Sequence, residues 1–392
     1  MKKRPDLPPR TRGRPARRLT SAAALGRFEL PVCVACGHVQ YPVGETCGQC
    51  FSDDLTWRAV ERGGTVLATT AIRHATEAYF QKLRPVRIGT VKLDAGPVVL
   101  ARLSADVAKA GKRVAMSNQL DRSGEAVLCA SAEGTRIVEN ILADPNREIA
   151  GRTVLVTGAN GGIGRAIVAA FLDAGASEVI AATRSGNAPE FEGGDARITQ
   201  IAMDLSDRAS VRTAAEGVGA RVDILVNNAG VTAISGFFEG DDTGGARREM
   251  DINYFGTLEV LRAFAPHMKA RQQGVILNVL TVLAHVCLPS MGSYCASKAA
   301  ALSLTQGVRA ELLPWGVRVC AIFPSTVDTE ASADSPPPKL APKRVAAEIV
   351  RMIAEGEEDC YPGDIARELA AAIRRDAKTV EREMALALPE PE

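Results

Sequence analysis

Two things are scarce in this 392-residue chain: aromatic side chains, at 4%, and net charge, at +1. Neither suits a nucleic-acid platform, which needs a basic groove set with stacking rings. The front third offers only Phe51, Trp57, Tyr79 and Phe80 for that purpose. Long apolar runs are missing too. None approaches the ~18 residues a membrane-spanning helix needs, and the apolar part of SAAALGRFELP is too short for a signal-peptide core. The expectation is a cytoplasmic protein with neither membrane nor nucleic acid as a partner. No unit of about 20–50 residues recurs, which sets solenoids aside.

What is present belongs to a soluble globular protein, 46% hydrophobic and 24% charged. The length calls for two or three domains. The neutral total hides an asymmetry. MKKRPDLPPRTRGRPARR, residues 1–18, sets eight Lys/Arg against Asp6, so the rest of the chain is net acidic. A Pro- and Arg-rich leader of this kind cannot bury a core, and residues 1–27 are expected to be a disordered basic tail.

Nine cysteines, an odd number, do not make a complete disulfide framework. Four of them stand in CVACGHVQYPVGETCGQC as the pairs Cys33/Cys36 and Cys47/Cys50, separated by ten residues. Thiolates at i and i+3 share one knuckle turn, and two knuckles complete a tetrahedral Cys₄ site. Four filled positions leave none for a substrate, so the metal is structural, and zinc suits it better than rubredoxin-like iron. Gly37 and Gly48 are expected to supply the sharp turns. Four reduced cysteines without metal are the alternative. Cys129, Cys287, Cys295, Cys320 and Cys360 are expected as buried thiols.

Behind this 28–52 segment, residues 53–141 alternate apolar and polar positions in TWRAVERGGTVLATTAI, VRIGTVKLDAGPVVLARLS, KRVAMSNQL and EAVLCASA. Such spacing predicts antiparallel strands closing a small β-barrel of the OB-fold type. LADPNREIAG, 142–151, reads as a linker. From Arg152 onward βα units follow one another, which predicts an α/β Rossmann domain over 152–392 with a doubly wound parallel sheet. Helices are expected over 247–271 and 296–313.

VLVTGANGGIG, 154–164, follows a hydrophobic strand and opens a helix, the setting of a dinucleotide turn. Gly158 makes the turn, Gly162 admits the pyrophosphate, and Gly164 lets helix and strand pack closely. The second strand ends in AATRS, where an acid would mark NAD. Arg184 stands there instead and suits a 2′-phosphate. NADP(H) is expected, with NAD(H) the alternative.

SYCASKAA puts Tyr294 and Lys298 four apart on one helix face. A cation beside the phenol favours its ionised form, which brings a poor base toward working pH. Thr281, in ILNVLTVLAH, can hold a substrate carbonyl oxygen beside it, and Asn253, in EMDINYFG, can hold a water that relays protons from Lys298. His74, His267 and His285 fall in no motif and are expected to be satisfied histidines.

Two resemblances follow from these residues. Over about 28–135 the chain resembles the rubredoxin-like zinc ribbon joined to an OB-fold that accompanies acyl-CoA enzymes. That resemblance implies an acyl-CoA-binding module, or one that docks to a thiolase, aldolase or hydratase partner. Residues 151–390 resemble the short-chain dehydrogenases/reductases. Thr157–Gly164, Asp204-Leu205, Asn227–Gly230, Asn253, Thr281, Tyr294 and Lys298 match that family's motifs. The resemblance implies cofactor contacts from Thr157, Gly158, Asn160, Gly161, Gly162, Ile163 and Gly164, and from Leu205, Ala229 and Gly230. It further implies that Asp204 meets the adenine amine, Asn228 steadies the central strand, and Val327 and Thr329 meet the nicotinamide amide. A homodimer or homotetramer, with an acyl-CoA or related substrate, completes the expectation. Two positions depart from the pattern: threonine replaces serine at Thr281, and Ser325 replaces glycine after Pro324.

Overall fold

The computed structural model describes residues 6–8, 13, 15–107, 109–134, 141, 142, 144–188, 191, 194–233, 236–238 and 242–387. They form two compact units, 4–147 with 354–358, and 148–353 with 359–392.

The front unit begins with a correction. Residues Arg17–Ala24, expected as tail, form helix α1. Leu19, Ala22 and Ala23 fall at i, i+3 and i+4, so one face of α1 is apolar and buried. Leu19 and Ala23 join the barrel core. Much of the remaining tail lies outside the described residues. β1 (Glu29–Cys33) pairs antiparallel with β2 (Leu55–Ala59), so the TWRA stretch belongs to the ribbon and not to the barrel. The barrel itself closes in the order β3-β4-β5-β7-β6. Its strands are β3 (Gly63–Ile72), β4 (Val86–Leu93), β5 (Val98–Leu103), β6 (Arg113–Leu120) and β7 (Ala126–Ala132), with a short helix α2 (Ala78–Lys82) between β3 and β4. Alternate positions point inward, among them Val91 and Leu93 of β4 and Val114 and Met116 of β6.

The first part of the 142–151 segment belongs to the front unit. Leu142 and Asp144 are fully buried, and Arg147 donates to Gln119 Oε1 and the Leu120 carbonyl at 2.6 Å each.

The rear unit is a seven-stranded parallel sheet in the order β10-β9-β8-β11-β12-β13-β14. Its elements are β8 (Thr153–Thr157), α3 (Gly162–Asp173), β9 (Glu178–Thr183), β10 (Ile198–Ala202), α4 (Arg208–Val218), β11 (Ile224–Asn227), α5 (Gly244–Met250), α6 (Thr257–Arg271), β12 (Gly274–Val279), α7 (Gly292–Leu312), β13 (Val317–Ile322), α8 (Pro342–Glu355), β14 (Asp359–Cys360) and α9 (Gly363–Ala385). Strand alternation sorts the core into two layers. Val154 and Val156 face α3 and α8, while Leu155 between them faces α4 and α6. The strand order reverses between β8 and β11, and ligands of such sheets bind beyond the carboxyl ends of the strands at that point.

Candidate functional site: a dinucleotide turn, a tyrosine–lysine helix and a four-thiol clip

The turn after β8 is built as its glycines require. Gly158 has φ +61°, and a Cβ there would lie 2.9 Å from Ala229 Cα. A Cβ on Gly164 would lie 2.3 Å from the Gly158 carbonyl oxygen, so helix α3 can approach only without one. Gly161 precedes α3 in extended conformation, and Gly162 faces the Thr329 side chain. Ile163 packs on the sheet core, and the Asn160 carbonyl accepts from Arg165 at 2.5 Å.

Thr157 and Asn228 lock the two strands that flank the reversal. Thr157 Oγ1 accepts from the backbone N–H groups of Asn228 and Ala229 at 2.9 Å, and Asn228 Nδ2 donates to the carbonyls of Thr157 and Gly158 at 3.0 and 3.1 Å. Arg184, just past β9, is exposed. Asp204 Oδ1 accepts from the Ser206 N–H and hydroxyl, which hold its carboxyl below the usual range, with the Arg184 charge adding to the effect. Leu205 lies against Gly256. Val327 bridges to Leu340, and Thr329 takes a backbone-to-hydroxyl bond from its own N–H to Ser332.

Tyr294 and Lys298 lie on α7, and Lys298 Nζ is 5.9 Å from the centre of the Tyr294 ring. Burial pulls the Lys298 ammonium down to about 8 and pushes the Tyr294 phenol well above its usual value. Lys298 Nζ donates to the Val279 carbonyl at 3.2 Å, at the end of β12. A Cβ on Gly230 would lie 3.1 Å from Asn253 Oδ1 and 3.3 Å from Lys298 Nζ. Gly230, Asn253 and Lys298 are therefore brought together beside the strand reversal.

Asn253 sits in a π-helical turn, Asp251–Gly256, between α5 and α6. Its Oδ1 accepts from the Val231 N–H, and its Nδ2 donates to the Val231 carbonyl and to Ser297 Oγ, all at 2.9 Å. Both amide donors are spent, so Asn253 clamps the 231 segment to α7, and only a lone pair of Oδ1 is left for a water. Thr281 caps a 3₁₀ turn, Val282–Ala284: its hydroxyl accepts from Leu283 N–H at 3.3 Å and donates to the Pro324 carbonyl at 3.2 Å. Engaging a substrate oxygen requires that hydroxyl to turn away from Pro324.

Three contacts had no local signal in the sequence. Glu249, 1% exposed, accepts from the Ala233 N–H at 2.6 Å and from Ser293 Oγ at 2.5 Å, and its charge helps raise the Tyr294 phenol. Ser297 donates to the Tyr294 carbonyl at 2.8 Å. A buried relay, Asn227 to Asn278 to Thr305 at 2.8 Å per step, ties β11 and β12 to α7. The Glu249 contacts and the relay join segments distant in sequence, while the Ser297 bond lies within one turn of α7, and Asn227 and Asn278 stand in motifs already singled out. His285 is satisfied by the Tyr361 hydroxyl at 3.1 Å and lies against Phe323, and His267 packs on Gly219. His74 is exposed.

In the front unit the four Sγ atoms of Cys33, Cys36, Cys47 and Cys50 lie within 4.8 Å of one another. The Cys33–Cys50 and Cys36–Cys47 separations are 3.5 and 3.7 Å, close to the about 3.8 Å edge of a tetrahedron with Zn–S bonds of about 2.3 Å. Backbone N–H groups of Cys50 and Gln49 hold the Cys47 thiol down at about 7. The donor set fits a zinc ion. One turn differs from expectation. Gly37 has φ +72°, but the matching left-handed residue of the second knuckle is Phe51, φ +62°, and not Gly48. Gly48 instead donates its N–H to Gln40 Oε1 at 2.8 Å. Of the five other cysteines, Cys287 is exposed and the rest are buried.

Comparison with known proteins follows the same division. Residues 152–339 match the family model described as short chain dehydrogenase. Residues 57–119 match the C-terminal OB-fold domain of ChsH2, and 20–56 its rubredoxin-like zinc ribbon domain. A dehydrogenase/reductase SDR family protein 7-like from Anopheles gambiae is 30% identical over 251 residues, covering 60% of this chain and 75% of its own length. Oxidoreductase UcpA of Escherichia coli K12 is 36% identical over 189 residues, covering 46% and 72%. A short chain dehydrogenase from Burkholderia cenocepacia, solved in complex with NADP, is 37% identical with TM-score 0.57, over 62% of this chain and all of that one. With two thirds or more of such relatives covered, the assignment is direct: the chain belongs to the short-chain dehydrogenase/reductase family, as an NAD(P)-dependent oxidoreductase that carries a rubredoxin-like zinc ribbon and an OB-fold ahead of its reductase domain.

Proposed function

We propose that the protein is an NADP-dependent carbonyl reductase or alcohol dehydrogenase acting on an acyl-CoA or related acyl thioester, with the front unit as its acyl-CoA-binding module. The observation that carries the chemistry is the grouping of Tyr294, Lys298 and Asn253 beside Gly230, where the strand order reverses. Bound NADPH supplies the hydride. Arg184 is the side chain offered to its 2′-phosphate, and the N-terminus of α3, opened by the Gly158–Gly164 turn, is offered to its pyrophosphate.

Tyr294 gives its proton to the carbonyl oxygen during reduction and takes it back from the alcohol during oxidation. Lys298, charged below about pH 8, lowers the cost of the phenolate left behind. Thr281, freed from Pro324, donates to the same substrate oxygen and holds it in line. Asn253 keeps the Gly230–Val231 edge and α7 in register, so that the tyrosine and the cofactor's edge share one geometry.

The thioester class is supported by the match of 20–119 to the two ChsH2 domains. The same match favours a second reading of that unit, as a dock for a thiolase, aldolase or hydratase, and the two can coexist. α6 and α7 are the faces we assign to a homodimer or homotetramer. Among the described residues no helix is long and apolar enough to cross a membrane. The test is a panel of β-keto and β-hydroxy acyl-CoAs against their free acids, followed by NADPH absorbance. Thioesters turned over well ahead of free acids support the reading; equal turnover of both, or a clear preference for NAD, overturns it. Co-purification of an acyl-processing subunit with the full chain supports the docking role.

A further inference from the structure

Five cysteines lie outside the clip, and Cys287 alone among them is exposed. It stands in the segment that runs from Thr281 to α7. Of the described residues from 281 to 290 it is again the only exposed one. Burial closes off the other thiols, and it pushes that of Cys129 up to about 12. Cys287 differs in a second way, because another thiol lies beside it.

That thiol is Cys295, the residue after Tyr294 on α7, and it is buried. Its Sγ accepts from the Leu288 N–H at 3.4 Å and donates to the Leu288 carbonyl at 3.9 Å. Leu288 follows Cys287 directly, so by standard backbone dimensions the Cys287 Cα lies within about 6 Å of Cys295 Sγ. The two side chains interact: burial pushes the Cys295 thiol up to about 11, and the neighbouring Cys287 thiol adds to the rise. A thiol open to solvent beside an enclosed one makes the two halves of a redox pair, the first to be oxidised and the second to resolve it. The same contact bears on catalysis. Through Leu288, the Cys295 thiol ties the segment that begins at Thr281 to the helix that carries Tyr294.

We propose that Cys287 and Cys295 are a modification site for hydrogen peroxide, a reversible disulfide switch beside Tyr294. The Cys287 sulfur attacks one peroxide oxygen, the O–O bond breaks, and Cys287 becomes a sulfenic acid while the other oxygen leaves as water with the thiol proton. The Cys295 sulfur then attacks the sulfenic sulfur: the S–S bond forms, the S–O bond breaks, and a second water leaves. Two thiols are oxidised and one peroxide is reduced to two waters, so atoms and electrons balance. A disulfide sulfur has no S–H to give, so the bond to the Leu288 carbonyl is lost as Cys295 Sγ swings toward Cys287. The Thr281 and Tyr294 hydroxyls then leave the spacing at which both reach one substrate oxygen, and turnover stops until a dithiol reduces the bond. The inference needs no particular substrate and holds for thioesters and free carbonyls alike.

The test uses the full, zinc-loaded chain. Hydrogen peroxide is added in small excess and free thiols are then blocked with iodoacetamide. Cross-linked peptides are read by mass spectrometry, turnover of a small free carbonyl by NADPH absorbance, and zinc release by a coloured chelator. In the wild type a Cys287–Cys295 peptide is expected while zinc stays bound. Its kcat should fall about 10- to 100-fold, the scale on which misplaced groups lose rate, and dithiothreitol should restore it. Cys287→Ser, at an exposed position, should keep its turnover through the same treatment. Cys295→Ala should give no cross-link and leave Cys287 as a sulfenic acid that dimedone labels. Should Cys295→Ala fail to fold, the wild type and Cys287→Ser decide the matter. No Cys287–Cys295 peptide in the wild type, a cross-link that leaves turnover unchanged, or equal inactivation of wild type and Cys287→Ser overturns the switch. Loss of turnover that tracks zinc release would place the sensitivity in the four-thiol clip and overturn it as well.

Discussion

The two units are held together by different physics. The reductase unit buries an apolar layer on each face of its sheet, from Val156, Ile167 and Ile349 on one side to Leu155, Phe264 and Ile276 on the other. The ribbon has no such layers. Between Cys33 and Cys50 only Cys33, Gln40 and Cys47 are buried, and two of those three are thiols of the clip. Burial scales with size, so a segment this short draws on a metal where the larger unit draws on area. The lesson is that the halves of one chain answer to separate perturbations, and each experiment below presses on one half while reading the other.

The largest expected effect is in the reductase. Tyr294→Phe removes the proton that reaches the substrate oxygen, and kcat should fall by about 10²–10⁴-fold. NADPH affinity and bound metal should stay as in the wild type. Retention of more than a tenth of the activity would show that another group supplies the proton.

Chelation is the counterpart for the front unit. Stripping the metal should open residues 28–60 to proteolysis, while turnover of a small free carbonyl changes by less than about twofold, because the four thiols belong to the front unit and the reductase chemistry to the other. If turnover collapsed with the metal, the contrast between the units would be broken.

Arg184→Ala comes next. Loss of a charge-assisted contact to the 2′-phosphate is worth about 1.5–3 kcal/mol, so KM for NADP should rise roughly 10- to 100-fold and KM for NAD should hardly move. Equal changes for both cofactors would detach Arg184 from the 2′ position.

Glu249→Gln sharpens the comparison within the reductase site. Burial is the main cause that raises the Tyr294 phenol, and the Glu249 charge adds to it. Removing that charge lowers the phenol, so the acid limb of alcohol oxidation should move to lower pH. Lys298 loses its proton as pH rises through about 8, and its support for the phenolate fades above that point in wild type and variant alike. A pH–rate profile unchanged by the substitution would leave Glu249 with a purely structural part.

The smallest effect concerns a turn. Phe51 is 82% exposed and holds φ +62°, a backbone region that costs a side chain about 1 kcal/mol or more. Phe51→Gly should therefore tighten the ribbon's hold on zinc several-fold, as read by competition with a chelator. Weaker binding would mean that the ring does something the exposed position does not explain.

How much of this was legible beforehand depended on whether the signal was local. The glycine turn, Tyr294 with Lys298, and the paired cysteines are short patterns, and the structure sets each group within reach of its fellows. Helix α1 was hidden by its charge. RRLTSAAA reads as tail until Leu19, Ala22 and Ala23 are seen to share one face, and the surface they cover lies in strands about a hundred residues away. The second knuckle misled for another reason. Gly48 looks like the turn residue, but the left-handed position falls one place after the second cysteine of each pair, and there the chain has Gly37 once and Phe51 once. The Glu249 and Asn253 clamps join segments separated by 16 to 44 residues, and no spacing rule connects them.

The π-helical turn at Asp251–Gly256 acts as a length standard for this site. Helix position advances by about 100° per residue, so one residue deleted between Glu249 and Asn253 would swing the amide of Asn253 away from Val231 and Ser297 while leaving both helices formed. Substitutions at the exposed positions Asp251 and Phe255 can be absorbed singly. Insertions and deletions cannot, and this short turn should be the part of the domain least free to change in number of residues.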